Sequence, residues 1–322
     1  MPSLRFHAQR LSDRAFGTPF DRELARAKRG RSAGFLFFWN RGLGDIALGL
    51  VPLFARIRRQ DPNARIAVIT RDELREPLVL AGADEVHVLA GLVREDRVDM
   101  ARACSRLGLA LDGFAAVFDY PDPNRWLEGR RGEFPPRLRW NPAWDALAER
   151  VMAPAQAGAI TIGAHVNSGT QAFYGYRKDW PAEAWQALFA RFPGSAGVRW
   201  VLLGYDAEQR FEGANLVDLR GKTDFPTLLS VIRNRLRVLV APDSGILTMA
   251  YYLDVAFALD VISLWSDPRQ GVLLQACASP NPHLRHTPLV GPGEDVKKLS
   301  VAEVAAALQA SLPPGSAAKP RD

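Results

Sequence analysis

Residues 34–52 read GFLFFWNRGLGDIALGLVP, and this stretch indicates the fold of the first half of the chain. It opens with an apolar, aromatic run long enough for one buried strand, which Gly42 and Gly44 then interrupt. From Ile46 onward the apolar residues return at helical spacing. Strand, glycine turn and helix form the start of a βαβ unit, which places Asp45 in the first helical turn, at the carboxyl edge of a sheet. Ligands of open α/β sheets bind along this edge.

The acidic residue at position 45 has two interpretations. Aspartate is a common helix cap, and its charge complements the helix dipole. A carboxylate at the carboxyl edge of a sheet is also well placed for chemistry. Residues 34–52 alone leave both roles of Asp45 open.

Length and composition restrict the class of protein. A chain of 322 residues with 48% hydrophobic content is long enough to form two domains with buried cores. Cys104 and Cys277 are far apart and belong to no CxxC motif, which argues against a disulfide framework or a zinc site and suits a reducing compartment. No uncharged apolar run reaches about 18 residues, and the N-terminus lacks the apolar segment of a signal peptide. We therefore expect a cytoplasmic protein.

The positive charge is concentrated at the N-terminus. The formal net charge is +6, and residues 1–31 contain eight Lys or Arg residues against three acidic ones. Such an arm can bind anionic lipid, as a peripheral contact on the inner face of a membrane, or a phosphate-bearing substrate. A solvated or partly disordered arm is the simpler interpretation. Aromatic residues do not alternate with the charges, so nucleic acid is not an expected partner.

Alternating strand and helix patterns continue along the chain. Further strands are predicted at residues 65–70, 85–89, 115–119, 159–166, 198–203, 216–219, 237–241 and 261–265. This alternation is typical of parallel sheets with helices on both faces. The predicted organisation is a basic arm (1–31), a first Rossmann-like domain (32–157, irregular from 120), a second Rossmann-like domain (158–312) and a disordered tail (313–322). We expect two doubly wound α/β domains with a cleft between facing carboxyl edges.

Four segments, in this order, resemble glycosyltransferase family 9, the heptosyltransferase-like enzymes of lipopolysaccharide assembly. Residues 41–71 (RGLGDIALGLVPLFARIRRQDPNARIAVITR) resemble the family's N-terminal signature, in which a Gly-Asp pair opens the first helix. The other three are residues 162–192 (IGAHVNSGTQAFYGYRKDWPAEAWQALFARF), 218–232 (DLRGKTDFPTLLSVI) and 241–253 (APDSGILTMAYYL). The resemblance covers residues 34–90 and 160–270.

This resemblance implies a GT-B fold and an inverting transfer of a heptose-like sugar from a nucleoside diphosphate donor, with ADP as the expected nucleotide. The acceptor would be a hydroxyl of a glycan or of a lipid-linked molecule, and no separate cofactor is implied. The family's catalytic carboxylate corresponds to Asp45, which would take the proton from the acceptor hydroxyl. Arg41 and Gly44, in the same turn, would face the acceptor.

The donor site would lie in the second domain. Its expected residues are Asn167, Ser168, Thr170, Lys178, Glu208, Asp243, Ser244 and Gly245. A helix that starts at Ser244-Gly245 offers N–H groups to a phosphate, and Lys178 would neutralise the diphosphate. Glu208 would hold the ribose, a role that Asp206 can also fill. Each has an ordinary alternative, namely a helix cap, a solvated lysine or a turn residue.

The sequence also departs from the family pattern. Thr248 stands where many members have histidine, residues 265–268 retain only the end of a family loop, and residues 120–140 are an arginine-rich insertion. Because a lysine and a helix start serve the diphosphate, we expect catalysis without a metal. Two alternatives remain, a nucleotide-sugar epimerase of the same fold and a non-catalytic nucleotide- or sugar-binding module. A dinucleotide dehydrogenase is disfavoured, since residues 40–45 lack a complete GxGxxG.

Overall fold

The computed structural model describes residues 13, 16–27, 34–156, 158–168, 178–194 and 197–312. The chain forms two compact units, Met1–Leu138 and Arg139–Asp322. The predicted disordered tail at 313–322 lies outside the described residues, as does most of the basic arm.

The first unit is built on a four-stranded sheet. Its strands are Gly34–Phe38 (β1), Arg65–Thr70 (β2), Glu85–Val88 (β3) and Ala116–Phe118 (β4). They are all parallel to their neighbours, in the order β3-β2-β1-β4. The chain moves outward from β1 to β3 and then returns to β4 on the other side of β1. The carboxyl ends of β1 and β4 therefore flank the point where the strand order reverses.

Helices cover both faces of this sheet, as the alternation of strand side chains requires. They are Pro19–Ala27 (α1), Val51–Gln60 (α2), Arg75–Leu80 (α3), Met100–Leu107 (α4) and Pro123–Trp126 (α5), with one π-helical turn at Ile46–Leu50 and short 3₁₀ segments at Asp72–Leu74, Leu111–Gly113 and Arg131–Glu133. Leu36 and Phe38 pack with Ala103 of α4. Phe37 points to the opposite face, where its ring lies 5.2 Å from that of Phe54.

The prediction of a solvated arm is wrong for residues 19–27, which form α1 and pack into the first unit. Phe20 is fully buried, and its ring lies 5.4 Å from Phe118 and 5.7 Å from Trp126. Leu24 and Ala27 are buried on the same face of the helix. This spacing of four and then three residues is the helical signal that the surrounding charges obscured.

The second unit contains a six-stranded sheet. Its strands are Ile160–Asn167 (β5), Val198–Gly204 (β6), Leu216–Asp218 (β7), Val238–Pro242 (β8), Leu259–Trp265 (β9) and Leu284–Val290 (β10). The order is β10-β9-β8-β5-β6-β7, and every pairing is parallel. The order reverses at β5, which pairs with β6 on one side and β8 on the other. β10, an edge strand, was not predicted from the sequence.

Helices again follow the strands in this unit. They are Ala182–Arg191 (α6), Phe225–Arg235 (α7), Gly245–Tyr251 (α8), Gly271–Gln275 (α9) and Val301–Ser311 (α10), with 3₁₀ segments at Pro142–Trp144, Leu147–Arg150 and Val296–Lys298. Trp185 and Leu188 of α6 pack with Leu308 of α10 against one face of the sheet. The prediction of two parallel α/β units is thus confirmed.

The boundary between the units differs from the predicted one at residue 157, because the irregular residues after 138 pack on α7. The Ala148 N–H donates to Ser230 Oγ at 3.0 Å, and Asn234 Nδ2 donates to the Asp145 carbonyl at 2.9 Å. The Trp144 ring meets that of Phe225 edge to face at 6.1 Å. These contacts assign the segment to the second unit. They join residues that are distant in the chain, so the local sequence does not predict them.

In the described ranges, every helix is too short or too polar to cross a membrane.

Replacement of Phe20 by alanine tests whether α1 belongs to the core. We expect Phe20→Ala to lower the free energy of unfolding by about 3–5 kcal/mol, because it leaves a cavity among aromatic rings. The control is Phe16→Ala, since the Phe16 side chain is 75% exposed. Urea denaturation of the full chain is the measurement, and equal effects of the two changes would show that α1 is not part of the core.

Candidate functional site

Asp45 lies where the sequence places it, just beyond β1 and in the first turn of the helix that leads into α2. Its side chain is exposed and makes no capping hydrogen bond to the helix backbone. The turn that follows, Ile46–Leu50, is π-helical, a form that is frequent at functional sites. The Asp45 carboxylate therefore does not cap the helix through a hydrogen bond. Gly44, which precedes it in the same turn, is half-buried.

The carboxylate of Asp45 lies against the backbone of Gly42 and close to an arginine. A Cβ atom built on Gly42 would be 2.8 Å from Asp45 Oδ2 and 3.5 Å from Arg94 Nη2. A side chain at position 42 would therefore displace the carboxylate. Arg94 was not predicted as a site residue, because it is distant in the chain and belongs to none of the four motifs.

The segment that carries Arg94 is fastened to the end of β1 by one buried amide. Asn40 Nδ2 donates to the carbonyls of Val93 at 2.7 Å and of Asp96 at 3.1 Å, and the Asn40 carbonyl accepts the Glu95 N–H at 3.0 Å. Asn40 Oδ1 accepts from Arg71 Nη1 at 2.8 Å. Asn40 thus holds the end of β1, the end of β2 and the segment after β3 together.

Arg41 and Arg97 lie at the same edge, where both stack on one aromatic ring. The Cζ atoms of Arg41 and Arg97 are 5.5 Å and 4.1 Å from the centroid of the Tyr120 ring, which follows β4. A cavity of about 10 Å³ adjoins them, lined by Phe38, Asn40, Arg41, Glu95, Asp96, Tyr120 and Pro121. It lies at the point where the strand order of the first sheet reverses. Arg41 is thus at the predicted edge.

In the second unit, Asn167 links the ends of β5 and β6. Its Oδ1 accepts the Tyr205 N–H at 2.8 Å, and its Nδ2 donates to the Asp206 carbonyl at 3.1 Å. The Glu208 N–H donates to Asp206 Oδ1 at 3.1 Å, and the Glu208 side chain is exposed. Asn167 therefore shapes the loop that carries both candidate ribose ligands, Asp206 and Glu208.

Lys178 and Asp243 meet at the point where the second sheet reverses its strand order. Asp243 follows β8, and Lys178 follows the loop after β5. Lys178 Nζ lies 2.5 Å from Asp243 Oδ2, and both side chains are mostly buried. This contact fixes an ammonium group at the crevice between β5 and β8.

Ser244 caps α8, as the ordinary interpretation of that motif predicts. Its Oγ accepts the Leu247 N–H at 3.2 Å, and Gly245 is the first residue of the helix. Thr248, in the position of the family histidine, is buried, and its hydroxyl donates to the Ser244 carbonyl at 3.0 Å. The Thr248 hydroxyl is thus turned to the helix backbone.

Ser168 and Asp179 lie beside the Lys178–Asp243 pair. The Ser168 N–H donates to Asp179 Oδ1 at 3.1 Å. Burial raises the pKa of Asp179 above its ordinary value, although this hydrogen bond acts in the opposite direction. Thr170, also predicted for the donor site, lies outside the described residues.

His165, near the end of β5, is a packed histidine. It is buried, and burial lowers its pKa to about 4, so the imidazole is neutral at pH 7. No group of three or more His, Cys, Asp or Glu side chains is arranged to bind a metal ion within the described ranges.

Comparisons with known proteins show the fold. The chain is similar to a glycosyl transferase family 9 protein from Veillonella parvula DSM 2008, with a TM-score of 0.57 and 14% identity over 87% of this chain and 97% of that one. It is also similar to the E. coli ADP-heptose LPS heptosyltransferase II (TM-score 0.54, 15% identity, 86% and 98% covered). A third similar structure is E. coli heptosyltransferase WaaC with ADP-2-deoxy-2-fluoro heptose (TM-score 0.50, 13% identity, 87% of this chain and 100% of that one covered).

These similarities confirm the predicted GT-B fold. No family model matches the sequence, and no curated protein matches it.

The buried histidine gives a pH prediction. The unfolded chain binds a proton on His165 near pH 6.5, whereas the folded chain does so only near pH 4. Folding is thus favoured above pH 6.5, and this contribution is lost as the pH falls towards 4. We expect His165→Gln to show a smaller loss of stability than the wild type over this range, measured by urea denaturation at several pH values. Parallel curves for the two proteins would contradict the assignment.

Proposed function

We propose that this protein is a glycosyltransferase that moves a sugar, with inversion, from an ADP-linked donor to a hydroxyl group of an acceptor. The observation that carries the proposal is the exposed, non-capping carboxylate of Asp45 at the reversal point of the first sheet. The GT-B fold supports it. The similar E. coli proteins are heptosyltransferases, which favours a heptose-like sugar.

Asp45 is proposed as the general base. As the acceptor oxygen attacks the anomeric carbon, its proton passes to the Asp45 carboxylate, and the bond from that carbon to the donor diphosphate breaks. Proton transfer to a positioned carboxylate typically supplies ~10²–10⁴-fold in rate. Gly42 allows the carboxylate its position, because a Cβ atom there would come within 2.8 Å of it.

The leaving diphosphate is proposed to bind beside Lys178. The Lys178 ammonium donates to Asp243 across the 2.5 Å contact and places a positive charge at the crevice between β5 and β8. Asp243 would then position Lys178, while the start of α8 at Gly245 presents backbone N–H groups. These groups would offset the charge that the leaving group gains, so we propose catalysis without a metal ion.

The acceptor is proposed to carry anionic groups. Arg41 and Arg97 stack on Tyr120 at the edge that holds Asp45, and Arg94 lies close to its carboxylate. Guanidinium groups bind carboxylates and phosphates in a two-point geometry. Acidic glycans or lipid-linked sugars, as in lipopolysaccharide biosynthesis at the inner face of a membrane, have this chemistry.

A non-catalytic nucleotide- or sugar-binding module is the second candidate. Thr248 favours it, since its hydroxyl donates to the Ser244 carbonyl rather than to a site where a ligand could bind. Incubation with an ADP-sugar and an acidic acceptor distinguishes the two. Product formation supports the transferase, and nucleotide binding without product supports the module.

Asp45→Asn tests the base directly. We expect the rate of transfer to fall by about 10²–10⁴-fold, while the affinity for ADP stays the same. Rates come from release of ADP, and affinity comes from calorimetry. Asp112→Asn, at an exposed aspartate of the first unit, is the control and should transfer at the wild-type rate. Unchanged turnover in Asp45→Asn would remove it as the base.

Lys178→Ala tests the donor site. We expect the affinity for ADP to fall about tenfold or more, since one charge-assisted hydrogen bond contributes about 1.5–3 kcal/mol. Lys297→Ala, which removes an exposed lysine from the same unit, should bind ADP normally. Thermal unfolding of both variants checks that the loss of the Asp243 partner has not unfolded the unit. Equal affinity for ADP in Lys178→Ala would exclude the lysine from the phosphate site.

A further inference from the structure

A cavity lined by arginines lies in the first unit, away from Asp45. It has a volume of about 240 Å³, and its lining includes Leu24 of α1, Arg56 and Arg59 of α2, and Arg130 and Phe134 of the segment after α5. The helix that starts near Asp45 runs for about 16 Å before it reaches Arg56, at a rise of about 1.5 Å per residue. The cavity is thus separate from the candidate catalytic carboxylate.

Arg56 is the buried group of this cavity. It is 7% exposed, its Nη2 donates to Asp21 Oδ1, and its Cζ lies 4.8 Å from the centroid of the Phe20 ring. Within the part of the chain that the structure describes, Arg56 Nη1 is buried and has no hydrogen-bond partner. Buried donors in folded proteins nearly always have an acceptor, so this N–H calls for an enclosed water.

Two more guanidinium groups adjoin it. Arg59 Cζ lies 5.4 Å from the centroid of the Phe134 ring, which orients the planar group, and the Arg59 side chain is exposed. Arg130 is half-exposed, and its Nη1 is 3.8 Å from Asp21 Oδ1. Asp21 and Glu133 are the carboxylates near these three arginines in the described residues. Positive charge therefore exceeds negative charge around the cavity.

We propose that this cavity is a binding site for a phosphate group. Arginine presents several N–H donors in a fixed plane, which suits the oxygens of a phosphate better than a single positive point does. Arg59 and Arg130 would bind the oxygens of the phosphate, and the Arg56 guanidinium adds positive charge to the same cavity. The group can belong to a free phosphate compound or to the headgroup of an anionic lipid. The site is independent of the proposed transfer reaction.

The test compares wild-type protein with the double variant Arg59→Gln/Arg130→Gln, in which exposed side chains change and the buried Arg56–Asp21 pair is retained. Arg106→Gln, at an exposed arginine of α4 outside the cavity, is the charge control. Binding of inorganic phosphate is measured by calorimetry at constant ionic strength. Binding to vesicles is measured by sedimentation, with phosphatidylcholine alone or mixed with phosphatidylglycerol.

We expect saturable binding of phosphate, of the mixed vesicles, or of both to the wild type and to Arg106→Gln, at least about tenfold weaker in the double variant. Binding of inorganic phosphate without binding to vesicles would identify a free phosphate compound as the ligand. Binding to the mixed vesicles would identify a lipid headgroup. Lys178 is intact in all three proteins, so weaker binding by the double variant is due to the cavity and not to the proposed donor site. Equal binding by wild type and double variant, or no saturable binding by the wild type, would overturn the proposal.

Discussion

The parallel pairing of β5 with both β6 and β8 is the constraint on which the site of the second unit depends. Parallel strands bring their carboxyl ends to one edge, and the connections that leave β5 and β8 diverge there. Lys178 and Asp243, 65 residues apart in the chain, meet at this point. On the other side of β5, Asn167 accepts the Tyr205 N–H and so fixes the loop after β6. Backbone pairing thus decides which side chains can act on one ligand.

The first unit uses the same arrangement around β1, which lies between β2 and β4. The site differs because the residues after the strands differ: a carboxylate and guanidinium groups in this unit, an ammonium group and a helix start in the other. Within the first unit, Asn40 connects the end of β1 to the segment that carries Arg94, since its buried amide binds the backbone of that segment. The two units thus present different charged groups at the points where their strand orders reverse.

Two segments added to this scaffold, α1 and the residues after β4, are held by ion pairs as well as by apolar contacts. Asp13 binds Arg125 of the segment after β4, and Asp21 binds Arg56 of α2, so acidic residues of the N-terminal segment neutralise arginines of both. Hydrogen bonds from Thr18 and Arg56 lower the pKa of Asp21 despite the opposing effect of burial. Gly49 permits close packing here, because a Cβ atom would lie 2.6 Å from Pro123. The arginine-lined cavity results from this packing.

The sequence by itself determined the features that short stretches of residues encode. Buried strands such as β2 need consecutive apolar residues, and a turn before a helix needs glycine, so the βαβ units and the place of Asp45 were predictable. The edge strand β10 was not, because exposed side chains and Pro288 give it little apolar character. Only the tertiary structure decided that Lys178 meets Asp243, that Arg94 approaches Asp45 and that α1 joins the core. The physical reason is that these contacts depend on strand order and on packing between distant segments, which no short stretch of residues records.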